Sequence, residues 1–290
     1  MSKRARLTAP PAAMMEEENP QFPLFRLPQK EILRTIRVMP INLIIPTKLD
    51  WNNNFELKDW LQHILTVFNR KDVDTLHLTS ESTQFNLDDL KENFGRPSLL
   101  IVEETPNQEY NQLMLQTFLP VDRLNISLQV FENSRIPPEI LTKNFLNLQI
   151  LNLEYGLKLT LDVLLTAKAK TLYLRELHCD ELDFNKFIKR WMRHGAYPEL
   201  EYLCITFPGC GRKSDLKVMR GLWHVQMPFN EIRLFKTEGY DAPIQVRGGN
   251  DIRRKGDGMK ATIEVDDITL FNRWHMYVWK EHCVVENDEL

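Results

Sequence analysis

Thr75-Leu76-His77-Leu78 is the first of five short segments in which leucine or isoleucine alternates with other residues. Alternation with a period of two predicts a β-strand that buries one of its faces. The other four segments are Arg123–Ile126, Ile150–Leu153, Thr171–Leu174 and Tyr202–Ile205. Their central leucines are Leu76, Leu124, Leu151, Leu172 and Leu203. The steps between these leucines are 48, 27, 21 and 31 residues, and two of the steps fall within the range of leucine-rich repeats.

The segments between the predicted strands have helical features. Asn86 is a predicted N-cap for a helix over Leu87–Phe94, and Gly95 is its predicted left-handed stop. Asp183 is a predicted N-cap for a second helix, which ends at Gly195. The apolar face of that helix consists of Phe184, Phe187, Ile188 and Trp191. We therefore expect an α/β (α+β) fold, an irregular leucine-rich-like strand–helix stack.

The pattern changes after about residue 236. Apolar residues alternate again in three runs, whose members are Ile244 and Val246, then Ala261, Ile263 and Val265, then Trp274, Met276 and Val278. Gly248-Gly249 and Gly256-Asp257-Gly258 are turn signals between the first two runs. These features predict that an antiparallel β element over about 236–280 closes the domain.

The N-terminal region begins with a tail, residues 1–20, that has no apolar periodicity and is expected to be disordered. A short helix is predicted from Pro28 to Met39, because Pro40 disfavours its continuation. A second helix is predicted with Asn54 as its N-cap. Its apolar stripe is Leu57, Trp60, Leu61, Ile64, Val67 and Phe68.

Composition narrows the classes of partner. The chain has 290 residues and a formal net charge of −3, so no global attraction to nucleic acid or to an anionic membrane is expected. No apolar run approaches the ~20 residues that span a bilayer. The cysteines and nearby histidines, Cys179, Cys204, Cys210, Cys283, His178 and His282, follow no zinc-binding spacing. We expect free thiols in a reducing compartment, cytoplasmic or nuclear, and no metal or cofactor.

Motifs that would indicate an enzyme are not found in the sequence. It contains no P-loop, no GxSxG elbow, no HExxH and no GxGxxG. We therefore predict a non-catalytic protein without catalytic residues. A basic run, Arg247, Arg253, Arg254, Lys255 and Lys260, leaves open a nucleic-acid binder, although solvated hairpin ends are the favoured interpretation.

Two long stretches, 183–203 and 248–263, carry a family resemblance, supported by the shorter stretches 22–28 and 54–61. Examples are Phe22-Pro23-Leu24-Phe25-Arg26-Leu27-Pro28 and Asn54-Phe55-Glu56-Leu57-Lys58-Asp59-Trp60-Leu61. The chain resembles the nematode-expanded F-box family with an F-box-associated type 2 domain. That resemblance implies a partial F-box over 21–50 and a substrate-binding domain over 51–290. The F-box is shortened, because the stretch after 40–44 passes almost directly to the spacer at 54–61.

The resemblance also implies partners. In this family the F-box binds the Skp-type adaptor of a cullin–RING ubiquitin ligase, and the remainder captures a target protein. Adaptor contacts implied by the resemblance are Leu24, Leu27, Pro28, Ile32, Leu33, Ile36, Met39 and Leu43. The shortened F-box leaves a second hypothesis, an interaction scaffold or decoy that has lost coupling to the ligase.

Candidate target contacts come from two places in the sequence. Alternation places Tyr277 and Trp279 on the strand face opposite Trp274, which predicts a wet aromatic patch. Lys186 and Arg190 lie on the charged face of the helix that follows Asp183, where an acidic partner could bind. The identity of the target is not encoded in any motif.

Overall fold

The computed structural model describes residues 42–44, 65–66, 73–131, 136–151, 165–175, 181–208, 215–238, 240, 242–268 and 271–285. Within these ranges the chain has the expected mixed α/β content. The strands are β1 (Asn42–Ile44), β2 (Thr75–Leu78), β3 (Leu99–Val102), β4 (Arg123–Ser127), β5 (Asn144–Leu151), β6 (Lys168–Arg175), β7 (Tyr202–Pro208), β8 (Val225–Gln226), β9 (Ile232–Phe235), β10 (Ile244–Arg247), β11 (Asn250–Arg253), β12 (Lys260–Ile268), β13 (Phe271–Val278) and β14 (Val284–Val285). The α-helices are α1 (Leu87–Phe94), α2 (Gln108–Phe118), α3 (Pro138–Leu141), α4 (Glu181–His194) and α5 (Asp215–Val218).

Eleven strands form one continuous sheet in the order β1-β2-β3-β4-β5-β6-β7-β13-β12-β11-β8. The pairs from β1 to β7 are parallel, and the pairs from β7 to β8 are antiparallel. The remaining strands, β10, β9 and β14, form a small antiparallel sheet. The predicted C-terminal antiparallel element is therefore present, and most of it extends the parallel sheet.

A regular repeat underlies the parallel half of the sheet. Leu76, Leu100, Leu124, Leu148 and Leu172 are paired in register from β2 to β6 and are spaced 24 residues apart. Leu203 continues this ladder on β7 after a longer step. Each of these leucines is at most 2% exposed. Burying one such side chain contributes about 1.5–3 kcal/mol, so the ladder is a principal part of the core.

Two strand predictions differ from this repeat. The sequence analysis missed β3, because Leu99-Leu100-Ile101-Val102 is a continuous apolar run without alternation. It also placed the next strand at Ile150–Leu153, whereas β5 ends at Leu151 and its ladder residue is Leu148. The irregular steps inferred from sequence arose from these two errors, and the observed spacing lies within the leucine-rich range.

The helices cover one face of the sheet. Apolar residues of α1, α2 and α4 share one buried cluster with the leucine ladder. In α4, the Phe184 ring stacks on Trp274 of β13, with 4.9 Å between the ring centroids. This helix begins at Glu181, so the prediction that Asp183 is its N-cap is wrong; Asp183 lies in the first turn and pairs with Lys186 at 2.9 Å.

Two glycine predictions have different outcomes. Asn86 caps α1 through its side chain, and Gly95 follows with a φ of 64°, as the predicted stop requires. Gly256-Asp257-Gly258 joins β11 and β12 in the predicted hairpin. Gly248-Gly249, however, connects strands of different sheets, since β10 pairs with β9. A Cβ at Gly249 would lie 2.7 Å from Thr262 Cγ2, so only glycine fits there.

Much of the predicted N-terminal region lies outside the described residues. This applies to the tail, to the helix from Pro28 to Met39 and to the helical stripe from Leu57 to Phe68, although residues 65–66 between stripe positions are helical. Leu43 lies in β1, in register with Leu76. Within the described ranges, no helix combines the length and apolarity needed to cross a membrane.

Candidate functional site

The sheet face opposite the helices carries a row of side chains in register. Because neighbouring strand positions alternate between faces, the residues beside the buried leucines point away from the helices. One row crosses seven strands, from β2 to β7 and then β13. Its members are His77, Ile101, Asn125, Gln149, Tyr173, Cys204 and His275.

The small sheet covers one end of this face. Phe235 of β9 contacts three rings of the large sheet: Tyr202 at a centroid distance of 6.1 Å, Tyr277 at 5.3 Å and Trp279 at 5.5 Å. These residues belong to a second buried cluster, separate from the leucine core. Over β2–β5 the row is only half-buried. We call this uncovered part, from His77 to Gln149 along the row, the open face.

A buried carboxylate joins the two sheets. Glu201 is 1% exposed, and its Oε2 accepts a hydrogen bond of 3.2 Å from the Thr237 hydroxyl. Its Oε1 accepts from His282 Nε2 at 3.0 Å. The ammonium groups of Lys170 and Lys280 lie 4.0 and 3.9 Å from the same oxygen. Since Thr237 and His282 flank β9 and β14, this arrangement fixes the small sheet to the large one.

A second contact joins the sheets at Asp251. Arg233 of β9 donates to both carboxylate oxygens of Asp251, at 2.9 and 3.0 Å, a bidentate geometry. Thr262 donates to the same carboxylate at 2.6 Å. Trp279 donates its Nε1–H to Thr262 at 2.7 Å, and the Arg233 guanidinium lies 4.9 Å from the Trp279 ring centre.

Between the open face and the small sheet lies a cavity of about 310 Å³, the tyrosine–arginine cavity. It is lined by Gln149, Tyr173, Arg175, Tyr202, Cys204, Thr206, Tyr240, Arg273 and His275. The Tyr173 and Tyr240 hydroxyls are in contact, which links the large sheet to the segment after β9. The Tyr202 hydroxyl lies 2.8 Å from His275 Nδ1.

Burial keeps the titratable lining groups of this cavity uncharged. It raises the pKa of Tyr173 and of Tyr202 above the ordinary phenol value, and it raises the pKa of the Cys204 thiol. Burial, with a further contribution from the Arg273 charge, lowers the pKa of His275 to about 4. At neutral pH these four groups therefore carry no charge, and the positive charge of the cavity comes from its arginines.

The aromatic target contacts predicted from the sequence differ from the observed positions. Tyr277 is 3% exposed beneath the small sheet and donates to Glu264 at 3.0 Å, so the expected wet patch at this residue is wrong. Trp279 is half-buried, and its ring lies beneath Arg233 and Lys260. The sequence could not show this cover, because the strands of the small sheet are distant from Tyr277 in the chain.

The charged target contacts lie on the helical side of the molecule. Lys186 and Arg190 are both exposed on α4, as expected for its polar face, and Lys186 pairs with Asp183. Their binding role stays a prediction. The adaptor contacts inferred by resemblance lie outside the described residues, except for the backbone of Leu43 in β1.

The basic run near the C-terminus is only partly solvated. Arg254 is 6% exposed, donates to Asp257 at 2.9 Å and lies 5.0 Å from the ring centre of Trp191. Its guanidinium holds the pKa of Asp257 at about 2. The interpretation of the run as solvated hairpin ends is therefore wrong for Arg254, which ties the hairpin to α4. Arg253 and Lys255 are exposed.

One group of potential metal ligands lies within the described residues. Ligand atoms of Glu201, His282 and Cys283 come within 4.8 Å of one another. The Glu201 carboxylate already faces two lysine ammonium groups, and burial raises the pKa of Cys283 to about 12, so its thiol is protonated. A metal cation would have to displace both ammonium charges and the thiol proton. This group therefore serves as a structural clamp between the sheets.

Comparison with known families matches the centre of this architecture. Residues 136–205 match a family model described as F-box associated. Over this region the chain belongs to an F-box-associated family. The matched region runs from α3 into β7, so it includes the cavity residues Gln149, Tyr173 and Tyr202. No curated protein and no solved structure matched the chain.

The F-box-associated region supplies a functional face that the sequence analysis did not identify. Gln149, Arg175, Tyr202 and His275 were not among the predicted contacts, although their signal was present. They occupy the positions between buried residues in alternating strands, which point away from the core. Recognising that the polar positions of successive repeats align into one row required the register of the strands.

Proposed function

We propose that this F-box-associated protein is the substrate-recognition subunit of an SCF-type cullin–RING ubiquitin ligase. In this proposal the Skp-type adaptor binds the region over 21–50, and the target protein binds the open face. Ubiquitin transfer is carried out by partner subunits, in the cytoplasm or the nucleus. The family match supports the class of protein, and the register of the exposed row supports the location of the target site.

The open face is suited to a polypeptide partner. Asn125 and Gln149 stand side by side on β4 and β5, and Arg123 and Asn147 form the neighbouring pair on the same face. Their side chains offer amide and guanidinium groups at regular strand spacing, which suits hydrogen bonding to an extended chain. Ile101 adds a half-buried apolar contact beside Asn125. The face therefore combines polar specificity with a small apolar area.

The first test addresses the adaptor. The full chain should bind the purified Skp-type adaptor, and the double variant Leu27→Asp, Ile32→Asp should lose this binding, because charges would enter an apolar contact. Arg190→Glu, on the exposed face of α4, is the matched control and should bind as the unchanged chain does. Absence of binding by the unchanged chain would contradict the ligase role and favour the scaffold or decoy, with a target bound but not ubiquitinated.

The second test addresses the open face. Proteins ubiquitinated by the reconstituted ligase should be compared between the unchanged chain and the double variant Asn125→Arg, Gln149→Arg. We expect modification of the true targets to fall at least tenfold, about 1.4 kcal/mol of binding, because two bulky cations would block the row. Arg190→Glu should leave the same targets modified. Equal modification by both variants would place the target site elsewhere on the chain.

A further inference from the structure

Two arginines occupy equivalent places beside the cavity. Arg175 of β6 and Arg273 of β13 are both register partners of Thr206 on β7. Neighbouring strands are about 4.8 Å apart, so the two backbones are separated by a single intervening strand. Both arginine side chains line the tyrosine–arginine cavity, together with Thr206.

Neither arginine is neutralised by a contact in the part of the chain that the structure describes. Other cations of the molecule have carboxylate partners, as Arg233 has Asp251 and Arg254 has Asp257. Arg175 and Arg273 form no hydrogen bond and no ion pair with the described residues. Arg175 is exposed and Arg273 is half-buried, so both guanidinium groups remain available to a ligand.

The cavity lining contains donors but no carboxylate among the described residues. With the lining tyrosines, Cys204 and His275 uncharged at neutral pH, no lining group opposes an incoming anion. The charges of both arginines reach the floor of the cavity, because each counteracts the raised pKa of the Cys204 thiol. A ligand with a negative charge is therefore complementary to this cavity.

The register also limits the charge of the ligand. Asp266 on β12 is the register partner of Arg273, so the three charged positions of this row, Arg175, Arg273 and Asp266, sum to one positive charge. A single positive charge matches a carboxylate, which carries one negative charge, better than a phosphate monoester, which carries nearly two. The cavity volume of about 310 Å³ lies at the lower end of the range for small-molecule sites, which suits one side chain.

We propose that the tyrosine–arginine cavity binds the carboxylate of an aspartate or glutamate side chain of the target. This inference rests on the proposed function and names a determinant of the target within it. Arg175 and Arg273 bind the carboxylate oxygens in the charge-assisted geometry that guanidinium groups favour. The rings of Tyr173 and Tyr240 pack against the methylene stem of the acidic residue. The rest of the target segment continues onto the open face at Gln149.

The test uses fluorescent peptide pools and the purified full chain. All pools have neutral randomised flanks and an amidated C-terminus, and their central residue is fixed as Glu, Gln or phosphoserine. A fourth pool has Gln at the centre and a free C-terminal carboxylate. Fluorescence polarisation should give a Glu pool that binds about tenfold tighter than the Gln pool, the preference expected of one charge-assisted contact.

The variants Arg175→Gln and Arg273→Gln should each remove this preference for Glu, while Arg190→Gln should keep it. Arg175→Lys should restore part of it, because the charge returns without the bidentate fork. Circular dichroism and thermal unfolding identify any variant that has lost its fold. Persistence of the preference in both glutamine variants, or its absence in the unchanged chain, would overturn the inference. Tighter binding of the phosphoserine pool or of the free-carboxylate pool than of the Glu pool would also overturn it.

The two proposals fail in different ways. If no Glu preference exists but the Asn125→Arg, Gln149→Arg variant loses its targets, the cavity inference is wrong and the open-face function stands. If the Glu preference is found but the chain neither binds the adaptor nor supports target modification, the ligase function is wrong. In that case the cavity remains an acidic-peptide site of a different kind of protein.

Discussion

Replacing Glu201 with alanine is expected to lower the free energy of unfolding by about 3–5 kcal/mol, the cost of leaving buried charges without their partner. The variant removes the acceptor of Thr237 and His282 and the counter-charge of Lys170 and Lys280. Lys280 is the more affected lysine, because its side chain is 15% exposed, compared with 34% for Lys170. Equilibrium unfolding in urea, followed by circular dichroism, measures the change.

The loss should be concentrated in the small sheet. Thr237 gives its hydroxyl proton to Glu201, so the Thr171 hydroxyl must donate in the 3.1 Å contact between the two threonines. Without Glu201 this chain of hydrogen bonds loses its acceptor, and Thr237 no longer ties the end of β9 to β6. Hydrogen exchange at β9 and β14 should accelerate more than exchange at β3 and β4, because local opening of the small sheet becomes cheaper.

Glu199→Ala is the matched control for this prediction. The Glu199 carboxylate also lies 3.9 Å from Lys280 Nζ, but it is 67% exposed. An exposed ion pair of this kind contributes about 0–1 kcal/mol, so this variant should unfold almost as the unchanged chain does. Equal losses for the two variants would show that Glu201 acts as another surface charge and that the clamp does not hold the sheets together.

The repeat of the parallel sheet was only partly predictable from the sequence. Leu76, Leu124 and Leu172 were correctly taken as strand centres, because each stands in an alternating segment. Leu100 lies in an apolar run that alternation does not detect, and Leu151 attracted the prediction away from Leu148. Searching for leucines at a constant interval, instead of searching for alternation, would have identified the repeat of 24 residues.

The covered end of the sheet illustrates what local patterns leave out. Alternation correctly placed Tyr277 opposite Trp274, but it could not tell which face would be covered by another layer. The cover comes from β9 and β14, whose pairing with each other and with β10 is non-local. Arg254 shows the same limitation, since its burial follows from Trp191 on a distant helix. Faces were predictable here, whereas their partners required the tertiary structure.

The family resemblance and the strand pattern contributed different information. The stretches 183–203 and 248–263 indicated an F-box-associated protein, and the comparison confirms that family over 136–205. They did not locate a binding site, because long matched stretches contain core positions and surface positions alike. The open face emerged when the register aligned Asn125, Gln149 and Tyr173 into one row. The adaptor contacts and the domain boundary near residue 50 remain predictions.

Acidification is expected to destabilise the protein through His275. This histidine is 8% exposed, and its ring stacks between Tyr202 and Tyr277, with centroid distances of 6.0 and 5.8 Å. Burial, assisted by Arg273, lowers its pKa to about 4 in the folded chain. In the unfolded chain the pKa is about 6.5. As the pH falls below about 6.5, the unfolded state therefore takes up a proton that the folded state refuses until about pH 4.

The contribution of His275 to stability is thus fully present above pH 6.5 and is lost as the pH falls toward 4, by about 3 kcal/mol in all. His275→Asn removes the titration and keeps an acceptor for the Tyr202 hydroxyl. The difference in unfolding free energy between this variant and the unchanged chain should shift by that amount between pH 7 and pH 4. The carboxyl groups that titrate in both proteins cancel in the difference, so the shift isolates the histidine.

His224→Asn supplies the comparison, because His224 is exposed and contacts only the Leu222 carbonyl, at 3.0 Å. Its pH profile should run parallel to that of the unchanged chain. If the His275→Asn profile also runs parallel, the imidazole is protonated as easily in the folded chain as in the unfolded one. The cavity would then gain a positive charge near pH 6 beside Arg273. A preference for acidic peptides that strengthened over the same pH range would show that gain directly, whereas a neutral His275 keeps the preference constant down to about pH 5.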